Sequence, residues 1–308
     1  MNNQIIELTS KKDLLENELN ALIYGSIEVR EKSGEYYIYV HYRESGIKRS
    51  KYVGEYSDNL HNLILNNNAR AKSIKKDLKK IKKELSNLGF VETGLEESVA
   101  VNIDFARRHL VDTIYKQAVL EGIATTYADT ETIVEGGKVN NMTASDVLKV
   151  VNLKRAWEFV LNKNVINSPT NFTLLCEINK LVEEGFYYNA GKVRSTPVSI
   201  GGTNWKPSIP IESQIKEELQ EILSSNLEIV DKAIELLLFT MKRQVFIDGN
   251  KRTAVIFANH LLISNAKGLI VIPNDKVEEY KQLLIAYYEG KDENLIKHFL
   301  KEDCYKAI

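Results

Sequence analysis

Between Ile5 and Leu22 the apolar residues Leu8, Leu15, Leu19 and Leu22 recur at steps of three, four and seven among charged neighbours, which predicts one amphipathic helix stopping at Gly25. The period then changes. Residues 26–56, SIEVREKSGEYYIYVHYRESGIKRSKYVGEY, alternate and are rich in Tyr, Val and Ile, with breaks at Ser33-Gly34 and Ser45-Gly46; they predict a three-stranded antiparallel meander. Helical spacing returns with Ile74, Leu78, Ile81 and Leu85, a four-three-four seam able to zip against the first helix as an antiparallel pair. Past Gly89 and Gly94 the pattern is helical almost throughout, over 97–121, 145–163, 168–184, 212–224, 227–243, 251–267, 275–288 and 293–302. The exception is RSTPVSIGG at 194–202, where proline and β-branched residues closed by Gly201-Gly202 predict a short hairpin or flap. The patterns together predict a mainly α chain in two parts, an accessory helix, meander and helix over 1–92 and a helical domain over 93–308.

Composition adds limits. At 308 residues the chain exceeds a typical single domain of ~100–150 residues, in keeping with two parts. With 44% hydrophobic and 27% charged residues, 5 Pro and 16 Gly, it is neither disordered nor fibrous. A net charge of −1 gives no global attraction to nucleic acid or anionic membrane. Locally the balance differs, since residues 1–90 carry 16 Lys/Arg against 12 Asp/Glu, a net of +4. The lysines run through KSIKKDLKKIKK, and the meander interleaves Tyr36, Tyr37, Tyr39, Tyr42 and Tyr52 with Arg43, Lys48, Arg49 and Lys51. Two roles fit that pattern: a surface that tracks a nucleic-acid backbone with stacked bases, or the solvated face of a helix beside a tyrosine-rich sheet. Cys176 and Cys304 lie far apart without metal-ligand spacing, which argues against a zinc site or disulfide scaffold and points to a reducing compartment. The opening MNNQIIELTSKKD is polar and no apolar run approaches the ~18 residues of a membrane span, so neither leader nor anchor is expected and the cytoplasm is the expected location.

The candidate chemistry lies in Gln244-Val-Phe-Ile-Asp-Gly-Asn-Lys-Arg-Thr-Ala254, a helix-loop-helix turn between two apolar stripes. Asp248-Gly249-Asn250 suits a tight turn, because Gly and Asn tolerate unusual backbone angles and leave N–H groups aimed inward at the start of the next helix. Such a nest binds anions. Lys251 and Arg252 add positive charge there, while Asp248 offers a hard oxygen of the kind Mg²⁺ shares with substrate phosphates. Phe246 reads as a core plug. On these residues alone, a plain helix connection is the alternative.

The string resembles the signature of the Fic (Fic/Doc) family, His-x-Phe-x-Asp/Glu-Gly-Asn-Gly/Lys-Arg, matching it at Phe246, Asp248, Gly249, Asn250, Lys251 and Arg252, with Gln244 where the family has histidine. The likeness extends over about residues 96–308: AGKVRSTPVSIGG at 190–202 resembles the family's flap, and YADTETIVEGG at 127–137 resembles its inhibitory helix ending in Glu-Gly. The resemblance implies a Fic-type helical bundle with a short β-hairpin flap and an inhibitory-type helix near 125–137, behind a small α+β module. It also implies an activity, transfer of a nucleoside monophosphate, usually AMP from Mg-ATP, to a hydroxyl of a target protein (AMPylation). In that scheme Asp248 holds Mg²⁺, Gly249 and Asn250 cradle phosphates, Phe246 and Lys251 belong to the nucleotide site, and Arg252 neutralises phosphate charge. Pro197, Val198, Ser199, Ile200, Gly201 and Gly202 dock the target segment by main-chain pairing. Glu135 is either the scheme's autoinhibitory glutamate or a plain helix-end acid.

Three departures qualify the resemblance. An amide at Gln244 cannot take a proton from an attacking hydroxyl near neutral pH, and losing such a base costs a factor of ~10²–10⁴ or more. The second arginine of the longer signature falls at Val255, which removes the γ-phosphate clamp and the usual partner of Glu135 and leaves Arg252 as the alternative partner. Lys251 stands where most adenylylating members have glycine, as in Doc toxins, which bind nucleotide reversed and phosphorylate their target. Three functions are therefore expected alternatives: weak or altered nucleotidyl transfer from ATP or another NTP with Gln244 as a positioning group, a catalytically silent Fic fold that binds nucleotide or a partner as a regulator, and a Doc-like kinase. An oligomer is compatible with each. His41, His61, His109, His260 and His298 fall in no constellation, and His260 reads as a packed or surface histidine. Trp205 and Lys206 follow the flap, as a groove edge or as surface residues.

Overall fold

The computed structural model describes residues 3–32, 34–44, 47–88, 90, 95–140 and 142–308, with the side chains of Asn3, Ile6, Arg43, Glu44, Ile47 and Lys48 outside the description. The expected breaks at Ser33, Ser45-Gly46, Gly89 and Gly94, and the expected boundary between 92 and 93, lie outside the described residues. The chain divides into two compact units, residues 2–92 and residues 93–308.

In the first unit α1 (Asn3–Ala21) leads into β1 (Ser26–Lys32), β2 (Glu35–Glu44) and β3 (Ile47–Glu55), followed by α2 (Asp58–Asn87). The strands form one antiparallel sheet in the order β1-β2-β3, with an irregularity at Ile38/Tyr39. Alternation sets its faces: Ile38 and Val40 pack with Ile64 of α2 in a small core, so Tyr37 and Tyr39 lie on the opposite face. Ser57 starts α2, its hydroxyl accepting from the Leu60 N–H. Ile74, Leu78, Ile81 and Leu85 are all buried along α2. Leu85 packs with Ile5 while Arg70 bonds Glu18, so α1 and α2 run antiparallel as the seam predicts.

The second unit is helical: α3 (Glu97–Arg108), α4 (Leu110–Leu120), α5 (Tyr127–Val134), α6 (Ala144–Val160), α7 (Lys163–Ile166), α8 (Phe172–Val182), α9 (Glu212–Ser224), α10 (Ile229–Arg243), α11 (Asn250–Ser264), α12 (Val277–Tyr288) and α13 (Glu293–Phe299). A two-residue ladder joins β4 (Leu269–Ile270) to β5 (Tyr305–Lys306). The predicted segment 97–121 is two helices, not one, because the backbone turns at His109, whose Nδ1 lies 2.9 Å from the Phe105 carbonyl. The stretch 145–184 restarts twice, at α7 and α8, where the Asn162 and Asn171 side chains accept from the Asn164 and Leu174 N–H groups and open new helices.

Residues 194–202 run extended and turn at Gly201-Gly202, but they form no strand ladder. The expected hairpin is absent because a side chain takes the place of cross-strand partners. The Arg194 guanidinium donates to Thr196 O and Ser208 O, both at 2.7 Å.

Helix α11 organises the unit. Every residue from Arg252 to Ile263 is buried, so it packs on all sides and shows little polar face in the sequence. Its polar groups are answered inside: Asn259 bonds both the N–H and the carbonyl of Ile270, fixing β4. This burial makes the N-terminus of α11 a rigid point. No helix among the described residues is long and apolar enough to cross a membrane.

Candidate functional site

Helix α10 ends at Gln244, whose backbone is left-handed with φ 44° and ψ 58°. Gln is not among the residues enriched in that region, as His, Asn and Asp are. The following Val245 and Phe246 are buried, the latter 1% exposed. Gly249, also left-handed at φ 72°, opens α11. A Cβ there would overlap the Glu183 carboxylate, so the turn requires glycine on conformational and steric grounds.

Three side chains fix the loop. Arg194, 2% exposed, donates from Nε to Gln244 O at 2.6 Å while its backbone N–H reaches Val245 O at 2.9 Å. Asn250 accepts from the Phe246 N–H at 2.9 Å and donates to Phe246 O at 2.8 Å. Asn179 of α8 donates to Asp248 O at 3.0 Å and to Thr253 Oγ1 at 3.1 Å. The backbone from 244 to 250 is thus held independently of the Gln244 side chain. That amide is itself occupied, Nε2 donating to Met241 O at 2.7 Å and Oε1 accepting from Asn250 Nδ2 at 3.2 Å. Tyr288, raised in pKa mainly by burial, also faces it.

No side chain caps α11, which leaves its first-turn N–H groups without an intramolecular acceptor in the helix. Beside them the charges are dense. Arg252, 3% exposed, has Nη2 at 2.8 Å from Glu183 Oε1 and 3.6 Å from Asp248 Oδ1, and Nε at 3.4 Å from Glu121 Oε2. Lys251 Nζ lies 3.5 Å from Glu121 Oε1. Arg252 Nε and Nη1 and Glu183 Oε1 are buried yet make no well-aligned hydrogen bond. The cluster is close in distance and poor in alignment. Behind it, Gln117 donates to Arg252 O at 2.7 Å and accepts from Trp157 Nε1 at 3.0 Å, tying the helix start to α4 and α6.

Burial outweighs the attraction of Arg252 and pushes the Glu183 carboxyl up to about 7, with Asp248 and Glu121 adding repulsion. A raised carboxyl favours folding most below its unfolded value near 4.5, and that advantage is lost as pH rises through about 7. Gln mimics the protonated form at every pH. Glu183→Gln is therefore expected to gain stability relative to the parent between pH 4.5 and 8, by up to about 3 kcal/mol. Denaturant titrations of both proteins across that range check this, and a pH-independent difference contradicts it. His260, pushed down to about 4 by burial, has an opposite slope that cancels in the comparison.

The structure brings Gln244, Asp248, Gly249, Asn250, Lys251 and Arg252 into one turn. Two roles change. The Phe246 ring is enclosed in the core, so it plugs the loop from below and offers no side-chain surface to a nucleotide. The Asn250 amide is spent on the loop, which makes it a brace. Glu135 caps the C-terminus of α5, exposed, and the carboxylates paired with Arg252 are Glu121, Glu183 and Asp248. His260 is a packed histidine, bonded to Thr170 Oγ1 and Val165 O, both at 2.9 Å. Past the flap, Trp205 stacks on Tyr288 with centroids 5.2 Å apart and planes at 10°. Lys206 is exposed. Sequence reasoning missed Glu121, Asn179, Glu183, Arg194, Tyr187 and Tyr288. Of these, Arg194 carried a signal, as the charged residue that opens the proline-containing stretch 194–202.

Among the described residues no group of three or more His, Cys, Asp or Glu is placed to hold a metal ion. Asp248, with its side chain 51% exposed, is a single accessible carboxylate. Its charge raises the pKa of the neighbouring Tyr187 hydroxyl.

The second unit is a mainly helical bundle around a buried central helix that starts, uncapped, in a Gly-Asn-Lys-Arg turn, and comparison shows what it resembles. Residues 169–262 match the model of the Fic/DOC family. Similar solved structures include Fic-1 from C. elegans (17% identity, 79% of this chain and 74% of that one, TM-score 0.54). A Fic domain-containing signaling protein from Bacteroides thetaiotaomicron aligns at 19% identity over 71% of this chain and 90% of that one, TM-score 0.52. A Fic family protein from Desulfovibrio desulfuricans aligns at 14% identity over 68% and 73%, TM-score 0.50. These likenesses establish a shared fold. No curated protein matches the sequence.

Proposed function

We propose that the turn from Gln244 to Arg252 binds a Mg-nucleotide and that the protein transfers its nucleoside monophosphate, slowly, to a hydroxyl of a target protein. One observation carries this reading: the start of α11 is uncapped while Arg252 beside it holds two buried N–H groups without an aligned acceptor. Phosphate oxygens are the ligand such a nest accepts. The nearby carboxylates, Glu121, Glu183 and Asp248, would repel a bare polyphosphate, which favours a nucleotide arriving with a divalent cation. The residues fit that cation as a shared one, Asp248 giving one oxygen and the phosphates the rest. When bound, Mg²⁺ supplies charge neutralisation of the phosphates.

The chain's own residues account for the rest. Arg252 neutralises charge, the α11 amides orient the phosphates, and Arg194, Asn179 and Asn250 keep the loop from relaxing. In transfer the target hydroxyl oxygen bonds to the α-phosphorus as the bond to pyrophosphate breaks. The hydroxyl proton passes to water, since the Gln244 amide is not basic and is already bonded to Met241 and Asn250. That last observation also favours a second reading, a silent nucleotide-binding regulator.

Incubation of the protein with Mg²⁺, a cell lysate and ATP labelled at the α- or γ-phosphate tests the proposal. Slow protein labelling from the α-phosphate is expected. Labelling from the γ-phosphate means the reversed, kinase-like pose, and labelling from neither gives the regulator reading the lead.

A further inference from the structure

The first unit contains a cleft that the transfer reading does not use. It lies between the end of α1, the α2-facing side of the sheet and α2, with a volume of ≈1190 Å³. Tyr24, Tyr42, Lys51, His61 and Lys75 line it, and no acidic residue does. It shares Leu19, Asn20 and Lys75 with a second groove of ≈550 Å³ that runs on past Lys79 and Lys82. The lining positions from His61 to Lys82 cover about 30 Å of helix. A trough that long and open suits a polymer rather than a small molecule.

Its charge and its rings point the same way. Lys51, Lys75 and Lys79 have no carboxylate within ion-pair distance among the described residues, whereas Lys82 is paired with Glu16 at 3.0 Å. Lys75 Nζ sits 4.4 Å from the centroid of Tyr24, and Tyr42 is 37% exposed. The other face of the sheet contrasts with this. There Tyr37, Tyr39 and Tyr52 pack on one another, the Tyr37 hydroxyl donates to Glu35 at 2.6 Å, and Glu28 holds Arg30, while at the cleft edge the same Glu28 also holds His41. On that face the charges and rings pair with one another, with Tyr52 still 52% exposed. Unpaired lysines spaced along a groove, with aromatic rings among them, are the pattern that follows a phosphodiester backbone while bases stack.

We propose that the first unit binds single-stranded nucleic acid in this cleft, with Lys51, Lys75 and Lys79 on phosphates and Tyr24 and Tyr42 under bases. Three phosphate contacts on a single strand give a slope of log K against log salt of about −2, roughly a twenty-fold loss of affinity between 50 and 200 mM salt. Each lost stack weakens binding by roughly five-fold or more while leaving that slope unchanged.

Fluorescence anisotropy on the full chain tests this with labelled oligo-U and oligo-dT of ~12 nucleotides, against a duplex of equal length and a labelled poly-glutamate peptide. The expected result is salt-sensitive binding of the single strands. Lys51→Gln/Lys75→Gln/Lys79→Gln should weaken it at least tenfold and flatten the slope, and Tyr42→Ala should weaken it with the slope kept. These side chains are at least partly exposed, and an unchanged circular dichroism melt confirms that each variant folds. No anisotropy change at about 50 mM salt overturns the proposal, as does equal binding of duplex or poly-glutamate, or binding unaffected by the triple change.

Discussion

Gln244→His is expected to raise protein labelling from ATP by a factor of ~10²–10⁴, the range that a positioned general base contributes. The backbone that would aim the imidazole is set by other residues. Arg194 holds Gln244 O, its backbone N–H holds Val245 O, and Asn250 holds both polar groups of Phe246. The position has φ 44°, a conformation that histidine enters more readily than glutamine. The substitution therefore relieves strain while adding a base. It should leave ATP affinity within a few-fold of the parent, because Arg252 and the α11 amides do the binding. A rise in turnover at unchanged affinity is the signature of a group that acts in the transition state. If the variant binds ATP but labels no protein, the absence of arginine at Val255 disables more than the base, and the regulator reading replaces transfer.

Arg252→Ala is expected to cost the second unit about 3–5 kcal/mol and to abolish ATP binding. Removing one partner of a buried charge cluster leaves the others short of charge, and here Glu183, 2% exposed, loses its cation while Glu121, 13% exposed, keeps only Lys251. For a unit of this size the loss corresponds to a melting temperature lower by roughly 10 °C. Arg252→Lys keeps the charge but not the fork, and should recover part of the stability with little of the binding. Adding Glu183→Gln to Arg252→Ala should restore stability beyond additivity, since the second change removes the acid orphaned by the first. A thermal melt of Arg252→Ala superimposable on the parent contradicts this picture of the cluster.

What the sequence displays and what it conceals divide along physical lines. The α1 and α2 seam, the meander and the turn from Gln244 to Arg252 are local, each set by residues a few positions apart. Their patterns are legible. The groups that make the turn a site come from elsewhere. Glu121 ends α4, Glu183 follows α8 and Arg194 begins the flap, and no periodicity links them to Arg252. Phe246 is easily misassigned by family likeness, because a ring in a loop reads as a contact until its burial is known. The break at His109 and the missing flap hairpin share one cause. In both places side chains bond the backbone, and period alone does not register that competition.

The central claim is a Mg-dependent nucleotide site at the start of α11, and calorimetric titration of the intact protein with ATP tests it most directly. Binding is expected with Mg²⁺ present and should be much weaker without it. Asp248→Ala should lower affinity at least tenfold in Mg²⁺ and little in its absence. No heat of binding under either condition, or an Asp248→Ala variant that binds Mg-ATP like the parent, would contradict the account.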